Sequence, residues 1–329
     1  MATKRGTNHN DSMLGTPAND VLIGLAGNDR LNGGQGDDRL EGGTGNDKLY
    51  GGAGNDQLNG GAGNDELYGG TRNDVLNGGN GNDSLDGDAG RDTLLGGAGN
   101  DRLENGEIMQ GGLGNDEYFV DAKGVKIIES SHGGDDSIEI TVSYTLPANV
   151  ETLMLNNYGI EGIGNAGNNT IEEITLGASG NTLRGGAGND DISAGMDSNA
   201  RLFGDAGNDS LSYLPTLSRI DGGTGTDLLT IYGDDLDLTA IPNGRITGIE
   251  IIDMTNDVQN HLALNATELL DLSPTTDTLR IIGDAADLVD AGTGWTQGSD
   301  TVINGVGYHA YTSGNASLLV ATDITLITS

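Results

Sequence analysis

The sequence predicts an all-β protein, a parallel solenoid of 18-residue coils. Three observations predict it. A nine-residue repeat runs without a gap from Gly15 to Glu104, in ten copies. Aspartate holds the sixth place of every copy (Asp20, Asp29, Asp38, Asp47, Asp56, Asp65, Asp74, Asp83, Asp92 and Asp101), and leucine holds the eighth, from Leu22 to Leu103. Composition is the third: 58 glycines, and 50 acidic against 15 basic residues, for a formal charge of −35. A period this regular fixes the architecture before any local propensity is weighed.

The repeat reads G-G-x-G-x-D-x-U-x, with U apolar, and is clearest at Gly42 to Tyr50 and Gly51 to Asn59. Each copy divides into a six-residue loop and a three-residue strand. Alternation along the strand turns the eighth residue inward and the seventh and ninth outward, so leucine makes the core while pairs such as Arg30 and Asn32 face water. Glycines at the first, second and fourth places permit positive φ and close backbone approach. Two copies close one coil, so loops two copies apart stack. One ladder is then Asp29, Asp47, Asp65, Asp83 and Asp101, and the other Asp20, Asp38, Asp56, Asp74 and Asp92.

Carboxylates and turned-in carbonyls are hard oxygen ligands of the kind calcium takes, about six to eight at a time. The candidate carbonyls are those of the first and third places: Gly33, Gln35, Gly42, Thr44, Gly51, Ala53, Gly60, Ala62, Gly69, Gly78, Asn80, Gly96, Ala98 and Gly111 in this stretch and just beyond it. Coils in a parallel sheet lie about 4.8 Å apart, so one ion fits between consecutive loops. Five loops per side leave four gaps, which gives about eight calcium ions for the array. Burying one leucine per copy does not offset the entropy of ordering nine residues, and stacked carboxylates repel one another. Folding and calcium binding are therefore expected to be one event here.

These ten copies resemble the haemolysin-type calcium-binding nonapeptides of the RTX (repeats-in-toxin) family. The resemblance implies a right-handed parallel β-roll with calcium in the turns. It also implies export by the type I secretion machinery on an uncleaved C-terminal signal. A glycine-rich disordered linker would not keep aspartate and leucine in phase over ten copies.

The rest of the chain follows in order. Residues 1–14 are a polar lead. The first RTX block spans 15–119 and opens on Gly15 to Ile23, where missing glycines suit a terminal cap. Departures fall at Leu25 and Asp88 in the second place, Arg91 in the fifth and Arg72 in the fourth. Arg72 replaces a loop glycine before Asp74, so a weaker or altered site is expected there. Asn105 to Gln110 breaks the period, which returns at Gly111 to Phe119 with Asp116 as a ligand candidate. Residues 120–163 form irregular β linker coils in which Ser131 to Ile138 keeps part of the loop pattern and offers Asp136.

A second block, 164–232, has neutral Asn169 at its first aspartate place. Complete loops follow, ending on Asp190, Asp209 and Asp227, with carbonyls of Gly185, Ala187, Gly204, Ala206, Gly222 and Thr224. Those aspartates are 19 and then 18 residues apart, one loop per coil. The opposite turns, Ala194 to Ala200 and Tyr213 to Arg219, lack the motif. From 233 to 329 the chain reads as a C-terminal β cap with the secretion signal. Its strands are Ile246 to Met254, Thr278 to Ile282, Thr301 to Tyr311 and Leu318 to Ile327, with one helix at Ala266 to Leu272 capped by Asn265. Asp253, Asp257, Asp284 and Asp287 are read as solvated turn residues, and the pair Asp234 and Asp235 as loop chemistry.

The charge argues against nucleic acid and anionic membrane surfaces as partners. No cysteine is present, so there is no disulfide framework or thiol chemistry. The start lacks the apolar core of a signal peptide, and no apolar run approaches a membrane span. Free calcium is plentiful outside cells, where weaker calcium modules operate, so a secreted or cell-surface setting is expected. The zinc-protease pattern H-E-x-x-H and the nucleophile elbow G-x-S-x-G are both absent, and the four histidines form no metal-spaced pair.

The leading expectation is a non-enzymatic calcium-binding protein that folds into an acidic rod on meeting calcium. A structural, matrix or adhesive role and a surface, matrix or glycan partner go with it. The alternative is the calcium-binding and secretion module of an RTX enzyme, for instance a polysaccharide-modifying one, without its catalytic domain. The opening methionine and irregular first repeat favour a complete chain. A flat ice- or glycan-binding face is disfavoured, because the seventh place varies among Arg, Lys, Gln, Glu, Val, Ser and Thr.

Overall fold

A computed structural model describes every residue except Ala178, Asp197, Asp234, Asp257 and Ser329. The expectations for Asp234 and Asp257, and part of that for Ala194 to Ala200, lie outside the described residues. The chain is an all-β solenoid, with one helix among the described residues, and divides into two compact units, Met1–Met154 and Leu155–Ser329.

In the first unit, alternate strands build two parallel sheets. One takes Val21–Ala26, Arg39–Thr44, Gln57–Ala62, Val75–Asn80 and Thr93–Ala98. The other takes Arg30–Gln35, Lys48–Ala53, Glu66–Thr71 and Ser84–Ala89. The 18-residue register stacks Leu22, Leu40, Leu58, Leu76 and Leu94 on one side and Leu31, Leu49, Leu67, Leu85 and Leu103 on the other. All ten leucines are buried. The same register lays the Tyr68 ring on that of Tyr50, with centroids 5.0 Å apart and planes within 7°.

The strands are six residues long, not three. In Arg39–Thr44, for example, Gly43 and Thr44 continue the pairing with Gly61 and Ala62. Only Gly45, Asn46 and Asp47 remain as the turn. The reason is the first glycine, whose missing Cβ lets the chain bend inward without leaving the ladder. The lead is also part of the roll. Thr3–Arg5 pairs with Val21 to Ile23, and Ser12–Leu14 with Arg30 to Asn32. Gly6 to Leu14 is thus an eleventh, degenerate repeat with Asp11 in the sixth place and Met13 in the eighth.

In the second unit, Asp191–Ser193, Ser210–Tyr213, Leu228–Ile231, Ile251–Asp253, Thr278–Ile282 and Ala316–Ala321 form one parallel series. Thr182–Ala187, Arg201–Ala206, Arg219–Asp221 and Ile246–Thr247 form another. Coils therefore persist well past residue 233. The expected strand Thr301 to Tyr311 is a hairpin instead. Asn304 and Gly305 both have positive φ, the two-residue turn that suits antiparallel strands, and Val306–Ser313 then pairs antiparallel with Ala316–Ala321. The helix Ala266–Leu272 forms where expected. The Asn265 side chain accepts the N–H groups of Thr267 and Glu268, and Leu269 and Leu272 are buried.

Candidate metal centre

Each loop aspartate is pinned by its neighbour. The N–H of Asp11 donates to Asp29 Oδ1, and the relay continues through Asp47, Asp65, Asp83, Asp101, Asp116 and Asp136, each bond 2.7 to 2.8 Å. A second relay runs from Asp20 through Asp38, Asp56 and Asp74 to Asp92 at 2.7 Å. The second unit carries a third, from Asn169 through Asp190 and Asp209 to Asp227 at 2.8 to 2.9 Å. Asp116 and Asp136 stand in line although their coils are 15 and 20 residues long.

One oxygen of each carboxylate is thereby used, and the other is orphaned. Oδ2 of Asp29, Asp38, Asp47, Asp56, Asp65, Asp74, Asp83, Asp92, Asp101, Asp116, Asp136, Asp190, Asp209 and Asp227 is buried with no hydrogen-bond partner. Burying an unpaired carboxylate oxygen is costly. Fourteen such oxygens among the described residues, lined along three relays, mean that something positive belongs there. Burial, above all, pushes the carboxyls of Asp65, Asp74, Asp101, Asp116 and Asp209 up to about 7, and those of Asp47, Asp56, Asp83, Asp92, Asp136, Asp190 and Asp227 to about 6.

The carbonyls complete the cradle. A methyl placed on Gly51 would lie 2.6 Å from Asp56 Oδ2 and 2.5 Å from the carbonyl oxygen of Gly69, one coil on. The two oxygens therefore face one spot that only a glycine leaves open. First-place carbonyls of Gly33, Gly42, Gly51, Gly60, Gly69, Gly78, Gly111, Gly185, Gly204 and Gly222 stand in the same relation to the preceding coil's first-place glycine. Third-place carbonyls are differently employed. Those of Thr44, Ala53, Ala62, Asn80, Ala98, Ala206 and Thr224 accept an N–H from the neighbouring coil at 2.7 to 3.0 Å, leaving one lone pair each. The donor set, carboxylate plus carbonyl without nitrogen or sulfur, suits calcium.

Asp20 differs from the rest of its ladder. Its Oδ2 accepts both the N–H and the hydroxyl of Thr16, at 2.6 and 2.7 Å, and Thr7 serves Asp11 likewise. Threonine in the second place thus closes the roll's first turns with its own hydrogen bonds. Arg72 leaves the backbone of its loop intact by adopting φ of 83°, and Asp74 Oδ2 still faces the Gly87 carbonyl across Gly69. Asn169, 3% exposed, accepts the Asn165 N–H on its Oδ1.

Four glutamates were not read from the sequence, and one aspartate was read otherwise. Glu107, Glu151 and Glu250 end the three relays, accepting the N–H groups of Asp92, Asp136 and Asp227 at 2.6, 2.8 and 3.0 Å. Their offsets of 15, 15 and 23 residues carry no periodic signal. Glu129 lies beside Asp116 and Asp136. Asp287 was expected to be solvated but is 1% exposed. Its Oδ1 accepts the Asn260 N–H and its Oδ2 that of Asp284, so the chain itself satisfies both oxygens. Side chains at the fifth place form a ladder of the opposite sense, as where Asn28 accepts from Asn46 N–H and Asn46 from Asn64 N–H.

A parallel β-roll with stacked, half-satisfied aspartates over glycine cradles defines the class: a repeat solenoid built around cations. The sequence model of the RTX calcium-binding nonapeptide repeat matches residues 5–40, 32–67, 68–103, 163–200 and 194–212. The chain is thus a bearer of RTX calcium-binding repeats, in both compact units. The match begins before Gly6, in keeping with the eleventh repeat. No curated protein matches the chain. No helix among the described residues is long and apolar enough to cross a membrane.

Proposed function

We propose that this chain is a secreted or cell-surface protein that takes up calcium along its aspartate ladders, folds as it does so, and serves a structural, matrix or adhesive role without catalysis. The orphaned Oδ2 atoms carry the reading. Asp29, Asp38, Asp47, Asp56, Asp65, Asp74, Asp83, Asp92 and Asp101 are the ligands of the first block, with first-place carbonyls from the next coil. Asp190, Asp209 and Asp227 are those of the second. Asp20 closes its ladder. Bound calcium supplies only charge and coordination, and the residues hold the coils in register around it. About eight ions fill the first block, one per gap between stacked loops, and a few more lie beyond it. Calcium outside the cell, together with type I export, accounts for a chain this acidic.

Equilibrium dialysis of the whole chain against calcium, with magnesium as the control, tests this. Several calcium ions per chain are expected, near the predicted eight or more, with magnesium failing to replace them because it demands stricter octahedral geometry. No calcium bound, or one ion only, would overturn the proposal.

A further inference from the structure

Where the regular roll ends, the cradle changes its chemistry. At Gly111 the nearest neighbour of an added methyl would be Asp116 Oδ2, at 2.0 Å. The carboxylate of Glu129 reaches the same glycine. Its Oε1 accepts the Tyr118 hydroxyl and, at 3.1 Å, the Gly111 N–H. Its Oε2 accepts the Ser130 N–H at 3.1 Å. A methyl on Gly133 would meet Glu129 Oε2 at 2.8 Å and Asp136 Oδ2 at 3.0 Å, so both oxygens look into one space. Asp116, Glu129 and Asp136 are all buried, and each offers an oxygen within 4.8 Å of the others. That span is what opposite ligands of one calcium ion require, at about 2.4 Å each. Asp116 Oδ2 and Asp136 Oδ2 have no hydrogen-bond partner. Among the described residues, no ion pair involves any of the three.

We propose that Asp116, Glu129 and Asp136 form a three-carboxylate calcium site, in which the Glu129 side chain replaces the backbone carbonyl that a nonapeptide loop would supply. It rests on the calcium reading of the ladders for the identity of the ion. A third carboxylate in place of a neutral carbonyl makes this site tighter than the loop sites, because ligand charge raises calcium affinity. Tyr118, fully buried and bonded to Glu129, orients that carboxylate and is its nearest reporter.

Two measurements on the full chain test it. The number of calcium ions bound should fall by one in Glu129→Gln, with the lost ion belonging to the tightest class. Terbium luminescence excited through tyrosine should be strong in the wild-type chain and largely lost in Tyr118→Phe, a variant that keeps the ring volume and reports even if Glu129→Gln fails to fold. An unchanged count in Glu129→Gln, or unchanged luminescence in Tyr118→Phe, would overturn this site alone and leave the ladders standing. A wild-type chain that binds no calcium would remove both readings together.

Discussion

At Asp65 one oxygen accepts the Asp47 N–H and the other, buried, has no hydrogen-bond partner. The first oxygen sets register and the second waits for charge. Burial raises such carboxyls to about 6 or 7, so between about pH 4 and pH 7 the metal-free fold binds more protons than the unfolded chain. Its stability then falls as pH rises through that window and grows as pH drops. Calcium competes with those protons. The calcium midpoint should therefore rise about tenfold or more between roughly pH 8 and pH 5.5, which titrations at both pH values would measure. The first-place glycine is equally exposed to test. Gly51→Ala puts a methyl against Asp56 Oδ2 and the Gly69 carbonyl, so it should cost at least one bound ion and about 1 to 3 kcal/mol, read by dialysis and by denaturation in calcium. The sixth-place aspartates were legible because they repeat. Glu129 was not, since its side chain does a backbone carbonyl's work in a coil of irregular length.

Coils cohere through leucine stacks within sheets whose strands run on through the glycine pair. Leu67 is fully buried and packs in register between Leu49 and Leu85, so Leu67→Ala should cost about 2 to 5 kcal/mol even in saturating calcium, as urea unfolding would report. Glu107 carries a different duty at the end of its relay. Glu107→Ala strips the acceptor from the Asp92 N–H, a charged hydrogen bond contributing about 1.5 to 3 kcal/mol, and amide exchange at Asp92 should quicken about tenfold or more. The repeat strands, the strand Thr278–Ile282 and the Asn265-capped helix were visible in the sequence, because apolar alternation and capping chemistry are local, whereas Ile246 to Met254 and Leu318 to Ile327 each proved to be two strands. Strand length was misjudged, since glycine's low strand propensity hid the pairing of Gly43 with Gly61. The hairpin turn at Asn304 and Gly305 is local turn chemistry that a continuous apolar reading passed over. The glutamate terminators depend on how far a side chain reaches across coils, and no spacing announces that.

For the molecule as a whole, the repeat made the β-roll legible at once, while the coils after residue 233 keep the architecture without the motif that reveals it. A chain with a formal charge of −35 and, among its described residues, fourteen orphaned carboxylate oxygens has an electrostatic reason not to close on itself until cations arrive. Folding driven by calcium is thus the central claim. Far-ultraviolet circular dichroism of the full chain, first in chelator and then along a calcium titration, tests it most directly. A largely disordered spectrum in chelator should give way to a cooperative β signal at about 0.1 to 1 mM calcium, the range of extracellular modules. A chain already folded in chelator and indifferent to calcium would contradict it.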